Sequence, residues 1–216
     1  MTNNWINSPE DALIYVGDAM CSWCHGFAPE LDKLIQNHSE LNFHIINGGL
    51  RPHGTETNET MADFLRSHWV EIAERTGQPF AYDILEDKEF IYDTEPSARA
   101  AVVARIMDPA KEYDFFKLIQ MAFYRDNKDT NKTETYMQLA EEFGFDKTHF
   151  ENIFNSEQAK LQTQSDFQLA SQMGVRGFPS MIIKLDGKFI QISNGYREAK
   201  DIEATILEAK QKVKEL

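Results

Sequence analysis

Apolar positions along this chain follow two rhythms. Near both ends they run together or alternate over short stretches, and through the long middle they return at helical spacing. Leu13 to Asp18 (LIYVGD) is apolar and β-rich, which predicts a short buried strand ended by Gly17 and Asp18. Phe27, Leu31, Leu34 and Ile35 then predict a helix running to about His38. Pro29 lies inside it and lacks a backbone donor, so a kink is expected there. Leu41 to Asn47 (LNFHIIN) is a second strand, stopped by Gly48 and Gly49. Strand, helix and strand within about 35 residues make a βαβ unit, with parallel strands and a right-handed crossover.

From residue 56 to residue 173 the strand signal almost vanishes. Met61, Phe64, Leu65, Trp69 and Ile72 mark an amphipathic helix closed by Gly77 and Pro79. Ala98 to Met107 marks another, ended before Pro109. Tyr113, Phe116, Ile119 and Phe123 mark a third, and Tyr136, Leu139, Ala140 and Phe143 a fourth, with Gly144 as its C-cap. Lys147 to Phe154 and a stretch that approaches Met173 and stops at Gly174 complete the block. Stripes of this kind are assigned to core packing. β character returns at Ser180 to Leu185 and Lys188 to Ser193, joined by Asp186-Gly187, a pair suited to a hairpin turn with φ > 0 at both positions. A last helix carries Ile202, Ile206, Ala209 and Val213. The order βαβ, helices, ββα makes this an α/β chain. Neither end can form a stable sheet alone, so the two are expected to pair, with the helical block inserted between them.

Composition narrows the function. With 42% hydrophobic and 12% aromatic residues in 216, the chain is globular rather than disordered. Its 22 basic and 35 acidic residues give a net charge of −13, which argues against nucleic acid or an anionic membrane surface as partner. The best apolar run, Ala100 to Met107, is broken by Arg105, and a membrane span needs about 20 apolar residues. Met1 to Pro9 carries no basic residue and no apolar stretch, so no leader is read and a cytoplasmic setting is expected. Neither phosphate-loop pattern, G-x-x-x-x-G-K or G-x-G-x-x-G, occurs. Two cysteines are too few for a disulfide scaffold, so they act locally.

Those two are Cys21 and Cys24, spaced C-x-x-C directly after a predicted strand and at the start of a predicted helix. Residues i and i+3 of a first helical turn share a face, close enough for a disulfide. A thiolate at a helix N-terminus meets unpaired N–H groups and the positive end of the dipole, which favours the ionised form. Cys21, nearer that end, is the candidate nucleophile, and Cys24 the shielded resolving thiol. Three other uses of the pair exist. A metal site would need further ligands from far along the chain, such as His44 or His53, and no second C-x-x-C supplies them. Cys24-His25 completes the C-x-x-C-H haem-attachment pattern, but that chemistry usually accompanies export. The third use is an inert buried pair.

A second motif, Gly174-Val175-Arg176-Gly177-Phe178-Pro179-Ser180, precedes the hairpin. A proline at a strand start after a glycine-flanked loop is a candidate cis peptide, with an ordinary trans bond as the alternative. Together the two motifs and their order resemble the DsbA family of thioredoxin-fold disulfide oxidoreductases. The run Gly17 to Glu30 is similar to the cytosolic DsbA-like, FrnE-like branch, which is associated with protein-disulfide isomerase activity. The resemblance implies a thioredoxin-like fold built from residues 1–50 and 174–216, with residues 51–173 as a helical insertion domain. It implies that Cys21 is the nucleophile, Cys24 the resolving cysteine and Pro179 the cis-proline beside them. It also implies that the backbone of Phe178 pairs with an extended substrate segment. The strongly oxidising periplasmic members carry Pro-His between their cysteines where this chain has Ser22-Trp23, so their oxidant character is not carried over.

Ser22 and Trp23, between the sulfurs, are candidate substrate contacts. Asp18 is a candidate proton acceptor for Cys24, with a turn or N-cap role as the alternative. His25, just outside the pair, is a second proton-transfer candidate and otherwise reads as a solvated helix residue. The expected partners are protein or peptide disulfides, with glutathione as a candidate electron donor and no metal or other cofactor. Two other functions fit the fold. Kappa-class glutathione transferases and chromene-carboxylate isomerases share the arrangement but use a serine at the motif. Some DsbA-like proteins act without catalysis, as adaptors that deliver a regulator to a protease.

Overall fold

The computed structural model describes residues 4–215; Met1 to Asn3 of the leader reading lie outside them. A mixed sheet of four strands carries the site. Its order is β2 (Asn42–Asn47), β1 (Ala12–Gly17), β3 (Ser180–Leu185), β4 (Lys188–Asn194). β1 runs parallel to β2 and antiparallel to β3, so the two ends of the chain do pair. The β1–β3 register sets Val16 opposite Ser180. Consequently the chain leaving β1, with its cysteines, and the chain entering β3, with Pro179, meet at the same end of the two central strands. Asp186 and Gly187 turn the β3–β4 hairpin with φ of 48° and 74°, as that dipeptide predicts.

All of β1 is buried, and its alternate residues serve opposite faces. Leu13 and Tyr15 pack with helix α1 (Ser22–Asn37) and the last helix, while Ala12, Ile14 and Val16 pack under Ala170 and Leu169. Between β2 and β3 lie α2 (Asn58–Thr76), α3 (Glu95–Met107), α4 (Glu112–Tyr124), α5 (Thr133–Phe143), α6 (Lys147–Phe154) and α7 (Glu157–Gln172); α8 (Ala199–Lys214) follows β4. α2 and α3 start before their apolar stripes, because first turns such as Asn58-Glu59 and Glu95-Pro96 are polar or proline-bearing and carry no periodicity. Short 3-10 turns at Asn4–Asn7, Asp83–Glu86 and Pro109–Lys111 were not expected, being too short for any period to show.

The inserted helices share a core with the sheet. One buried cluster joins Leu13, Tyr15 and Phe27 to Phe115, Phe116 and Tyr136, and the Tyr15 ring meets Phe116 edge-on at 6.0 Å. A second, aromatic cluster centres on Trp69, Phe123 and Tyr124.

α1 is gripped by the inserted segment at two adjacent residues. His25 is not solvated as expected: it is 1% exposed, stacked on Tyr124 at 4.8 Å and edge-on to Phe80 at 5.0 Å. Its Nε2 donates to the Pro79 carbonyl at 3.0 Å. The sequence reading failed because the inserted helices, remote in the chain, supply everything that covers the ring. Burial holds its pKa down to about 4, so the ring is a neutral wedge and not a proton carrier for the cysteines. Gly26 lets α2 approach: a Cβ there would lie 2.7 Å from Ile72 Cγ2 and 3.1 Å from Thr76 Cγ2.

Two outcomes follow. Gly26→Ala gains helix propensity of about 1 kcal/mol but overpacks against a fully buried β-branched residue, which costs about 1–3 kcal/mol. A net loss of stability is expected from urea unfolding, and a stabilised variant would show that α2 is free to shift. For His25, a folded pKa below the ordinary value means that the unfolded chain binds the proton first as pH falls. Its contribution is intact above about pH 6.5 and is lost toward pH 4, on the order of 3 kcal/mol in full. The urea midpoint should fall between about pH 7 and about pH 5, and fall less in His25→Gln. Equal falls in both would clear His25 as the source.

Candidate active site

Cys21 is the N-cap residue of α1, in extended conformation, and no side chain caps the first N–H groups of that helix. The sulfur therefore occupies the place where a serine or aspartate oxygen would ordinarily sit, facing the free donors and the dipole. Cys21 is 7% exposed and its thiol donates to the Phe178 carbonyl at 3.8 Å. Cys24, one turn further in, is 1% exposed. Burial pushes the Cys24 thiol up, and its contact with Cys21 adds to this. Two groups oppose the rise, the Tyr15 hydroxyl and the Asp18 backbone N–H. Both cysteines are free thiols in this structure.

Tyr15 is the residue that pattern reading passed over as a strand apolar. Alternation along β1 puts it on the α1 face together with Gly17, and its ring needs that glycine: a Cβ on Gly17 would lie 2.2 Å from the Tyr15 hydroxyl. Burial, then the neighbouring Cys24, pushes the phenol well above its ordinary range. It therefore remains protonated, beside Cys24. The available signal was this shared face, a tyrosine and a glycine two apart just before a C-x-x-C.

Asp18 is fully buried, and its carboxyl is pushed up by that burial. Its two oxygens accept from the backbone N–H groups of Met20 at 2.9 Å and Leu50 at 2.7 Å. The carboxyl group thus ties the β1–α1 turn to the chain after β2. What reaches the Cys24 sulfur is the Asp18 main chain, which favours the turn role over proton transfer. Tyr92 adds a second tie, donating to the Met20 carbonyl at 2.6 Å.

Opposite the cysteines, the Phe178–Pro179 bond is cis, and the Pro179 carbonyl accepts from Gly195 N–H at 2.7 Å. The Phe178 ring covers Gly48, where a Cβ would lie 2.1 Å from Cε1. Ser22 and Trp23 are half-buried beside the sulfurs, and Trp23 packs on Tyr196 with ring centres 5.4 Å apart. The structure thus brings together Cys21, Cys24, Ser22, Trp23, Phe178, Pro179 and the Asp18 backbone, and sends the His25 ring the other way. Cavities of about 840 Å³ and about 760 Å³ occur elsewhere, and neither is lined by the C-x-x-C turn or the Phe178 loop. Among the described residues no three His, Cys, Asp or Glu side chains are grouped to hold a metal ion, and no helix is long and apolar enough to cross a membrane.

Comparison with known proteins agrees with this geometry. No curated protein matches the sequence. Among solved structures, a "putative protein disulfide isomerase" from Nitrosomonas europaea is 33% identical, with 94% of this chain and 98% of that one covered and a TM-score of 0.86. The cytosolic disulfide reductase DsbM from Pseudomonas aeruginosa is 23% identical over 94% of this chain and 99% of its own, with a TM-score of 0.76. It has also been solved with GSH, at 23% identity, coverage of 93% and 98%, and a TM-score of 0.71. A 2-hydroxychromene-2-carboxylate isomerase shares the fold at 16% identity, covered 93% and 94%, with a TM-score of 0.63. The family model described as DSBA-like thioredoxin domain matches residues 12–204. The chain belongs to the DSBA-like thioredoxin family, whose members are thiol–disulfide oxidoreductases, and Cys21 and Cys24 are its C-x-x-C pair.

Proposed function

We propose that this protein reduces or isomerises disulfides of proteins, peptides or small thiols in a cytoplasmic setting, with glutathione as the electron donor that returns it to the dithiol form. The observation that carries the reading is the place of Cys21, an uncapped helix N-cap whose thiol faces the Phe178 carbonyl. Most accessible dithiols are kept reduced in the cytoplasm, which favours reduction or isomerisation over net oxidation. The cysteine pair itself argues against the serine-based isomerase chemistry of proteins that share the fold.

The steps follow from the geometry. The Cys21 thiolate attacks one sulfur of the substrate disulfide, forming a mixed disulfide and releasing the other sulfur as thiolate. The substrate segment lies along the backbone of Phe178. Cys24 then loses its proton and attacks the Cys21 sulfur, closing the Cys21–Cys24 disulfide and releasing the second thiolate. The substrate gains two electrons and the dithiol loses two. The second step is the harder one, because Cys24 is buried and resists ionisation. The hydroxyl of Tyr15 and the N–H of Asp18 are the donors that hold the thiolate when it forms.

Catalysed disulfide reduction in a reporter protein should vanish in Cys21→Ser; full activity in that variant would overturn the proposal. Titration in glutathione redox buffers with thiol trapping should show one reversible transition of the pair, and no transition would count equally against it. Tyr15→Phe removes a hydrogen bond to a charged sulfur, worth about 1.5–3 kcal/mol, so closure should slow about tenfold or more. Mass spectrometry of quenched single turnovers should then show the mixed disulfide on Cys21 accumulating, with the first attack less affected. An unchanged closure rate would leave Tyr15 as packing alone.

A further inference from the structure

Arginines in this acidic chain are nearly all engaged. Arg51, Arg66, Arg99, Arg105 and Arg125 each meet a carboxylate, and Arg197 bonds the backbone oxygens of Ile192 and Asp201. The remaining two of the eight, Arg75 and Arg176, have no carboxylate within ion-pair distance among the described residues, and both border the site. Arg176 is exposed in the loop two residues before Phe178. Arg75, in the last turn of α2, sets its guanidinium carbon 4.9 Å from the Tyr196 ring centre and 5.6 Å from that of Trp23. Trp23 is itself the residue between Ser22 and Cys24.

Stacking on aromatic rings uses the face of a guanidinium and leaves its edge of N–H donors open to a planar acceptor. The nearby acids do not take that edge. Glu30 is held by Lys33 and the Ala199 N–H, and Glu198 by Lys200. A helix C-terminus alone accounts for a basic residue in the last turn of α2, but not for two rings that fix it beside the cysteines. The inference rests on the exchange reading above and adds a substrate class to it.

We propose that Arg75, carried on Trp23 and Tyr196, binds a carboxylate of the thiol exchanged at Cys21, so that the preferred substrates are disulfides of small acidic thiols. A free α-carboxylate near the reacting sulfur belongs to a free amino acid or short peptide, because inside a protein chain that carboxyl is an amide and only a neighbouring Asp or Glu side chain could replace it. The reduced protein is the reductant: Cys21 attacks the disulfide and releases one acidic thiolate, Cys24 closes on Cys21 and releases the second, and the protein disulfide holds the two electrons' worth of oxidation.

Single-turnover oxidation of the reduced protein, followed through Trp23 fluorescence, tests this with three probes: glutathione disulfide (acidic), cystamine (cationic) and 2-hydroxyethyl disulfide (neutral). The wild-type protein should react fastest with glutathione disulfide, and high salt should narrow its lead. In Arg75→Gln the ratio of rate constants, glutathione disulfide over 2-hydroxyethyl disulfide, should fall about tenfold, and cystamine should gain relative to both. Arg75→Lys should restore only part of the ratio, since it keeps the charge and loses the fork. A general loss of fold or of thiol reactivity lowers all three rates together and leaves the ratio alone. An unchanged ratio in Arg75→Gln, with wild-type reactivity toward disulfides intact, overturns the carboxylate site but not the exchange function. A wild-type protein inert to all three probes overturns both.

Discussion

Everything at this site depends on holding a sharp buried corner, the turn from Gly17 to Cys21, without the capping that a helix start ordinarily has. A cysteine at the N-cap cannot also be a capping serine or aspartate, so α1 begins with its first donors unclaimed. The turn is instead braced from outside. Asp18 uses one oxygen on Met20 and the other on Leu50, and Tyr92 reaches in from the inserted segment to the Met20 carbonyl. Burying a carboxyl group with both oxygens bonded is costly unless the bonds are all made, and here they bind three separate stretches of chain. The donors spared at the helix start lie beside the Cys21 sulfur.

The same logic explains why the inserted helices are more than an addition to a complete fold. His25 and Gly26 follow the cysteine pair at once; the His25 ring enters the aromatic cluster, and the bare Gly26 backbone lies against Ile72 and Thr76 of α2. α1 is therefore clamped between the sheet and the inserted block, one turn from its reactive end. The block also delivers Arg75 to the rim of the site from a helix far away in sequence. A site assembled in this way keeps its cysteines on the local strand–helix unit, while the inserted helices pack around that unit and supply Arg75 at its rim.

What could be read from the sequence follows the range of the interactions. Lys147 to Phe154 is a helix with the expected bounds because its pattern and its Asp146 cap are local. The Asp186-Gly187 hairpin and the C-x-x-C at a helix start are local too. His25 was misjudged because a histidine beside a motif looks the same whether buried or not, and Tyr15, rightly read as a buried strand residue, gave no sign of its place beside Cys24. Their roles depend on a missing Cβ at Gly17 and on rings at residues 80 and 124, which only the fold brings near. Arg75 gave no signal at all, since a basic residue at the end of a helix is expected on electrostatic grounds alone.

The position of Phe178 shows how far such dependence runs. Its carbonyl receives the Cys21 thiol, and its ring is seated by the bare backbone of Gly48. Gly48 directly follows Asn47, the last residue of β2, so where the ring sits depends on where that strand ends. Asp166 on α7 fixes that end, accepting from the Asn47 backbone at 3.1 Å, the Asn47 side chain at 3.0 Å and Arg105 at 2.7 Å. Two buried acids against one arginine would leave an uncompensated charge, which the interior does not tolerate. The structure relieves it at Glu112, where burial raises the pKa to about 8 and the Asp166 charge adds to the rise. The shift favours the neutral form of Glu112, while Arg105 lies 2.7 Å from Asp166 and 3.6 Å from Glu112. The bare backbone at Gly48 and the seat of Phe178 thus depend on the buried cluster of Asp166, Arg105 and Glu112 that closes around the end of β2.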